Sequence, residues 1–441
     1  MFIGKRPGII VGEPGPKEAM VLQEFALRNF KALESASFAL GRITVLIGPN
    51  GTGKSSVLQA LTLLKQSLGK KALVTSGGAL NLGSYEDVVH GRDKERVLEF
   101  RLQAKVPGVG LPRRSAEIAL ASYEVEFNNE GLLSHRLVLR DPAPIKAAWH
   151  RFTGSSLEPG MIRYPTGLSI QLRVSDTIGS AVEIAAYTTE PAERINEAAR
   201  IRLQEHVATI PKLLTRVYVA SQIRGFEAPT YPLQPNPEED FFAVRGPADQ
   251  ASRVLSTLAY RPELQEAISD FSRRVLGVSM RVRLVPDKMV AAEAYNGWQA
   301  NLVNEGFGAN QLLILLAQLV VAPEDSLLGI EEPEIHLHPK AQAALADVFA
   351  ELVNAERKQI VLATHSEHVL MGLLTQVARA RLKPEDLRVY YFQKDENGVA
   401  SAELLEVDTR GQLKGGLKGF FEANVEELES YLGALSGRKQ R

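Results

Sequence analysis

The sequence predicts an α/β protein with a mixed β-sheet core carrying a phosphate-binding loop, an antiparallel β subdomain and a long mixed insertion. Three observations lead there. The stretch Gly48-Pro49-Asn50-Gly51-Thr52-Gly53-Lys54-Ser55 stands between a compact apolar run and helical sequence; residues 97–140 alternate apolar and polar positions; and beyond residue 311 short apolar runs alternate with helical sequence.

The composition is that of a folded chain: 441 residues, 45% hydrophobic and 23% charged, enough for two or three domains. There is no cysteine, which excludes disulfides, thiolate metal sites and cysteine nucleophiles. A net charge of −1 excludes a general polyanion binder, so any nucleic-acid contact must come from a local basic patch or from paired subunits. No run of eighteen apolar residues occurs, so the expectation is a cytoplasmic protein without a membrane partner.

Taken in order, residues 1–20 lack hydrophobic periodicity and carry several Gly and Pro, which reads as a flexible leader with Met20 as an alternative start. Val21–Phe30 alternates, residues 36–40 read as a second strand, and Ile43–Ile47 is a compact buried strand followed by a helix over residues 54–68. Residues 190–216 and 248–276 read as helical on either side of a Pro-rich connection, and residues 278–285 as strand. LLGIEE and QIVLATH resemble buried parallel strands. The expected division is a discontinuous core over 21–100 and 296–410, an inserted antiparallel and helical region over 101–295, and a helical tail over 411–441.

The glycine-rich stretch fits G-x-x-x-x-G-K-[ST], placed between strand and helix as its chemistry requires. Gly48, Gly51 and Gly53 let consecutive N–H groups turn inward, and the helix beginning near Lys54 adds its positive dipole end. Pro49, Asn50, Gly51, Thr52, Gly53, Lys54, Ser55 and Ser56 are therefore the expected nucleotide contacts, with Lys54 on the β- and γ-phosphates and Ser55 on Mg²⁺. Such a loop needs carboxylates at the end of a neighbouring strand, and Leu327–Glu331 followed by Glu332 supplies them: Glu331 for the metal, Glu332 as general base. A third run, Gln359–Thr364, delivers His365, suited to hydrogen-bond a γ-phosphate. His336 with His338, and His365 with His368, suggest transition-metal pairs, but spacing fixes no third ligand.

Loop, hydrophobic-Glu-Glu-Pro strand and terminal Thr-His-Ser, in that order, resemble the ABC-type ATPases of the RecF/SMC branch, and among them small bacterial ATPases grouped with the ATPase module of the OLD proteins. FALRNFKAL, LGSYEDVVHG, VYVASQIRGFEAPTYPL, NEGFGANQLLILLAQL and IEEPEIHLHPKAQAALADVFAEL carry the likeness. The resemblance implies a homodimer or higher oligomer that sandwiches ATP, each site completed by the partner's signature segment. Asn304, Gly306 and Gly308 occupy that position, with Asn304 where transport-type signatures carry Ser. Residues 334–339 fall where such proteins keep the loop that crosses the dimer. Residues 85–90 fall at the glutamine-loop position without a Gln. Relatives act in DNA repair or antiphage defence, often beside a separate nuclease or toxin. OLD relatives also carry a C-terminal Toprim nuclease domain. Only about 75 residues follow His365 here, without a D-x-D pattern, so no Toprim domain is expected.

The expected function is thus an ATP- and Mg²⁺-dependent ATPase whose dimerisation switches a DNA- or effector-related activity. A transporter ATPase subunit and an ATP-held scaffold without hydrolysis are the alternatives. The 250 positions between Lys54 and Asn304 argue against a transporter subunit. Arg113, Arg114, Arg273, Arg274, Arg281, Arg283 and the tail Arg438 to Arg441 are the basic residues available to DNA, although scattered charges usually form only a solvated surface.

Overall fold

The computed structural model describes residues 21–414 except 79, 107–118, 141–149, 152–159, 164–168, 174–177, 179–182, 189–208, 221–223, 238–246, 288 and 296. The leader, nearly all of the tail, Arg113, Arg114, the tail arginines and most of the helix expected over 190–216 lie outside the described residues.

Six strands form the core sheet in the order Val217–Ala220, Leu327–Glu331, Gln359–Thr364, Ile43–Ile47, Leu387–Lys394 and Ala400–Leu405. The first five are parallel and the last is antiparallel. Parallel strands covered on both faces must be apolar throughout, and Ile43–Ile47, Leu327–Glu331 and Gln359–Thr364 are buried at every position. The period of two sends Ile43, Val45, Ile47, Ile360 and Leu362 into one core, built with the helices Phe307–Val321, Pro339–Ala355 and Glu367–Ala378. Leu46, Val361 and Ala363 enter the other core, shared with the helix Lys54–Gln66 and a second, antiparallel sheet. The helix that follows the loop is therefore clasped between two sheets.

The second sheet runs Leu33–Ala39, Val21–Phe30, Leu98–Val106, Ala119–Asn128, Gly131–Arg140 and His150–Arg151. Gln359 ties the two sheets together. Its side-chain amide donates to the carbonyls of Leu22 (2.7 Å) and Gly41 (2.8 Å) and accepts from the Leu22 N–H (3.2 Å).

Three local readings differ from expectation. The helix expected over 248–276 is two helices, Pro247–Tyr260 and Pro262–Leu276, because a proline cannot donate to the preceding turn and clashes with it. The strand Val217–Ala220, inside the stretch read as insertion, completes the core sheet, while Val21–Phe30 and Leu33–Ala39, inside the stretch read as core, belong to the antiparallel sheet. The helix expected from residue 311 begins at Phe307. Gly308 sits in its first turn because a Cβ there would stand 2.6 Å from the His336 carbonyl oxygen.

Candidate active site

Register brings three strand ends to one edge. Glu331 pairs with Ala363 and Ala363 with Leu46, so the phosphate loop, the Glu-Glu turn and the Thr-His-Ser turn leave the sheet side by side. Gly48, Gly51 and Gly53 all take positive φ (146°, 74° and 96°). At Gly48 the requirement is also steric, since a Cβ would lie 2.2 Å from the Phe392 carbonyl oxygen. Pro49, Asn50 and Gly51 are exposed, whereas Thr52, Lys54 and Ser56 are buried. Thr52 Oγ1 donates to the Pro49 carbonyl (2.8 Å), closing the loop on itself. The helix behind it opens at Gly53 with no side-chain cap and no acidic residue in its first turn, which leaves its N–H groups and dipole for an anion.

Lys54 Nζ donates to the carbonyls of Gly48 (2.9 Å) and Pro49 (2.7 Å). Burial pushes its ammonium down, opposed by the charges of Glu332, Glu334 and Glu331. Glu331, 6% exposed, accepts a hydrogen bond from Ser55. Burial pushes its carboxyl up to about 7 against the Ser55 hydrogen bond, with Glu332 adding to the rise. Neighbouring residues on a strand face opposite ways, but Glu332 takes φ 43° just past the strand end and turns away from that alternation. Its carboxylate Oε1 lies 3.0 Å from His365 Nε2, both side chains being about one-third exposed. Lys54, Ser55, Glu331, Glu332 and His365, far apart in sequence, are thus brought together. A hydroxyl and a buried carboxylate already in contact fit a hard divalent cation held with a nucleotide phosphate.

Two more residues belong to this site: Glu334, unforeseen there from the sequence, and Arg224, which its place in SQIRGF makes a candidate for a phosphate or partner contact. Glu334, assigned by position to a dimer-crossing loop, turns inward, and its Oε1 accepts from Thr364 Oγ1 (2.6 Å) and the N–H groups of His365 (2.9 Å) and Ser366 (3.2 Å). Arg224, 6% exposed, donates through Nη2 to the carbonyls of Glu331 (3.2 Å) and Glu332 (3.0 Å). Desolvation pushes its guanidinium down to about 10, opposed foremost by Glu334. No sequence signal beyond the length of Glu-Glu-Pro-Glu could have revealed Glu334, because its partners lie 30 to 32 positions away.

Asn304, Gly306 and Gly308 lie elsewhere, at the opening of the helix Phe307–Val321, and none hydrogen-bonds the phosphate loop among the described residues. Asn304, Gly306 and Phe307 are exposed, and the Phe307 ring leans on His336 at 5.3 Å between centroids. The segment of residues 85–90 is a scaffold: Ser84 and Asp87 form a capping box, Tyr85 Oη meets the carbonyls of Arg96 (2.8 Å) and Phe127 (2.9 Å), and His90 Nδ1 meets that of Lys31 (2.7 Å). No group of three or more His, Asp or Glu among the described residues is arranged to hold a metal. No described helix is long and apolar enough to cross a membrane.

The model of the AAA ATPase domain family matches residues 20–130 and 242–370, more than half of the chain. Protein ea59 of Escherichia phage lambda is 33% identical over 125 residues, 26% of this chain and 24% of its own. The OLD nuclease of Thermus scotoductus is 39% identical over 44 residues (10% and 8%). The DNA replication and repair protein RecF of Yersinia enterocolitica is 36% identical over 74 residues (17% and 20%). The chain therefore spans a quarter or less of each curated relative. Among solved structures, the Smc head domain of Pyrococcus furiosus, bound to the C-terminal domain of ScpA, aligns over 93% of this chain and 99% of its own at 12% identity and a TM-score of 0.46.

Proposed function

The chain belongs to the AAA ATPase domain family, and from that premise we propose that it binds ATP with Mg²⁺ at the phosphate loop, hydrolyses it, and uses ATP-driven pairing of two subunits to switch a DNA- or effector-related activity. The observation that carries the reading is the Ser55–Glu331 hydrogen bond beside the Glu332–His365 contact, within the charge field of Lys54. Gly51, Gly53 and the uncapped helix hold the phosphates; Lys54 leaves the loop carbonyls to meet them. Ser55 and Glu331 hold the magnesium, which when bound supplies charge neutralisation at the phosphates. Glu332 takes the proton of the attacking water, and His365 orients that carboxylate through its Nε2–H, a donor that passes to the γ-phosphate when nucleotide binds.

The opening of the helix Phe307–Val321 is the half-site a partner would use, with Asn304, Gly306 and Gly308 presented to the partner's ATP. A protein effector, such as a separately encoded nuclease or toxin, is favoured over duplex DNA. Arg283 is paired with Glu293 (2.9 Å), Arg274 with Glu351 (2.8 Å) and Arg273 with Asp270 (3.6 Å), so each of these arginines would have to exchange an acidic neighbour for a phosphate. Glu332→Gln should bind ATP with little change, lose hydrolysis by about 100-fold or more, and accumulate as a dimer by light scattering. A chain with that substitution that stays monomeric at saturating ATP defeats the sandwich.

A further inference from the structure

Three consecutive residues, Arg224, Gly225 and Phe226, lie between the Glu-Glu turn and the start of the helix Phe307–Val321. At one end Arg224 grips the carbonyls of both catalytic-turn residues. At the other, the buried side chain of Asn310, in the first turns of that helix, closes on the backbone of Phe226: Oδ1 accepts its N–H, and Nδ2 donates to its carbonyl (3.0 Å) and to that of Leu302 (3.4 Å). Between them Gly225 takes φ 137°, and a Cβ there would meet Asn310 Oδ1 at 2.9 Å, so the backbone passes as close as glycine allows. Phe226 is anchored in turn, its ring 6.0 Å from that of Tyr231, whose hydroxyl accepts from the N–H groups of Glu227 (2.6 Å) and Ala228 (2.9 Å).

The grip at the catalytic end is not saturated. Arg224 Nε and Nη1 and Glu334 Oε2 are buried and have no hydrogen-bond partner among the described residues. Leaving buried donors and acceptors unmade is costly, so a shift of the turn that brings guanidinium and carboxylate together is within reach of modest forces. Such a shift would pull Phe226, and with it Asn310.

We infer that Arg224 and Asn310 are positioning residues: acting through Gly225 and Phe226, they set where the Glu331–Glu332 turn stands relative to the N-terminus of the helix Phe307–Val321. Given the paired-subunit reading above, the same three residues link the site a subunit builds to the half-site it offers its partner. The test measures ATP hydrolysis, affinity for a fluorescent ATP analogue and thermal unfolding for the full chain, Arg224→Lys, Asn310→Ala and the double variant. Each single substitution should lower kcat about tenfold or more, with KM and nucleotide affinity changed less than about twofold. The double variant should lose no more than the worse single, as members of one linkage do. An unchanged kcat in either single, a fall in kcat accompanied by altered KM and a lowered melting temperature, or a double loss equal to the product of the singles would each overturn the inference. Should Asn310→Ala fail to fold, Asn310→Gln takes its place and is read the same way. The Glu332→Gln light-scattering experiment reads the dimer separately: a monomer there, with the kinetic pattern intact, removes the pairing and leaves the positioning role standing.

Discussion

The helix that begins at Lys54 opens under a buried lysine within the field of three carboxylates, whereas the helix that begins at Phe307 opens onto solvent, with Phe307 itself 70% exposed. Both lack a side-chain cap and an acidic residue in the first turn, so both present bare N–H groups. The first gathers Lys54, Ser55, Glu331, Glu332 and His365 around it; the second has Glu305 just before it and His336 against Phe307, with Asn304, Gly306 and Phe307 exposed. The difference teaches that one helix start is surrounded by the charged groups of its own chain while the other is left open to solvent, which is the asymmetry the proposed pairing of subunits would use.

The harshest way to break the comparison is Lys54→Ala, which should bring phosphate release down by about 1,000-fold or more, to background. Gly306→Asp attacks the other side. Nothing lies within 4 Å of a Cβ at Gly306, so the carboxylate should be tolerated or even stabilise the helix start by about 0.5 kcal/mol, yet repel a partner's phosphate and slow hydrolysis about 10- to 100-fold. Mixing the two impaired proteins sharpens the result. A mixed pair has one intact loop facing one intact signature, so activity should reappear on mixing; its absence in a steady-state assay would count against shared sites.

Glycine itself separates the two starts more gently. Gly48→Ala places a methyl against the Phe392 carbonyl at positive φ and should cost about 3 kcal/mol in denaturant unfolding, while Gly306→Ala, at φ −60° in open space, should stay within about 0.5 kcal/mol. The smallest effect belongs to Lys65, at the far end of the first helix, whose ammonium burial pushes down from 10.5 to about 8 while it donates to the Val217 carbonyl. A lowered lysine pKa means the unfolded chain binds more protons between pH 8 and 10.5. The burial cost is therefore fully present below pH 8 and relieved as pH rises through that window. Relative to Lys65→Met, the unsubstituted protein should gain about 1 kcal/mol from pH 8 to 10.5 after allowance for partial exposure, and a flat difference in stability would refute the cause assigned.

What could be read from the sequence was what is local. Gly48 to Ser55 announces strand, turn and helix within a dozen positions, and Ile43–Ile47 and Gln359–Thr364 are apolar enough to be buried strands on sight. The strand Val217–Ala220 was not legible: four residues long, it owes its state to pairing with Leu327–Glu331, over a hundred positions on. Membership of Val21–Phe30 in the antiparallel sheet likewise depends on Leu98–Val106. Glu334 was invisible as a site residue for the same reason, and Arg224 was legible only as a candidate for a phosphate or partner contact, since an inward carboxylate and a desolvated guanidinium are defined by partners that only the fold assembles.

The amide of Gln359 stands in for a peptide unit, bonded to both backbone groups of Leu22 and to Gly41, so the first strand of the outer sheet is riveted to the base of the strand that delivers His365. The connection over residues 40–42 is thereby denied the role of a hinge. A strain arriving at the base of that strand is passed to the outer sheet instead of being absorbed in the connection.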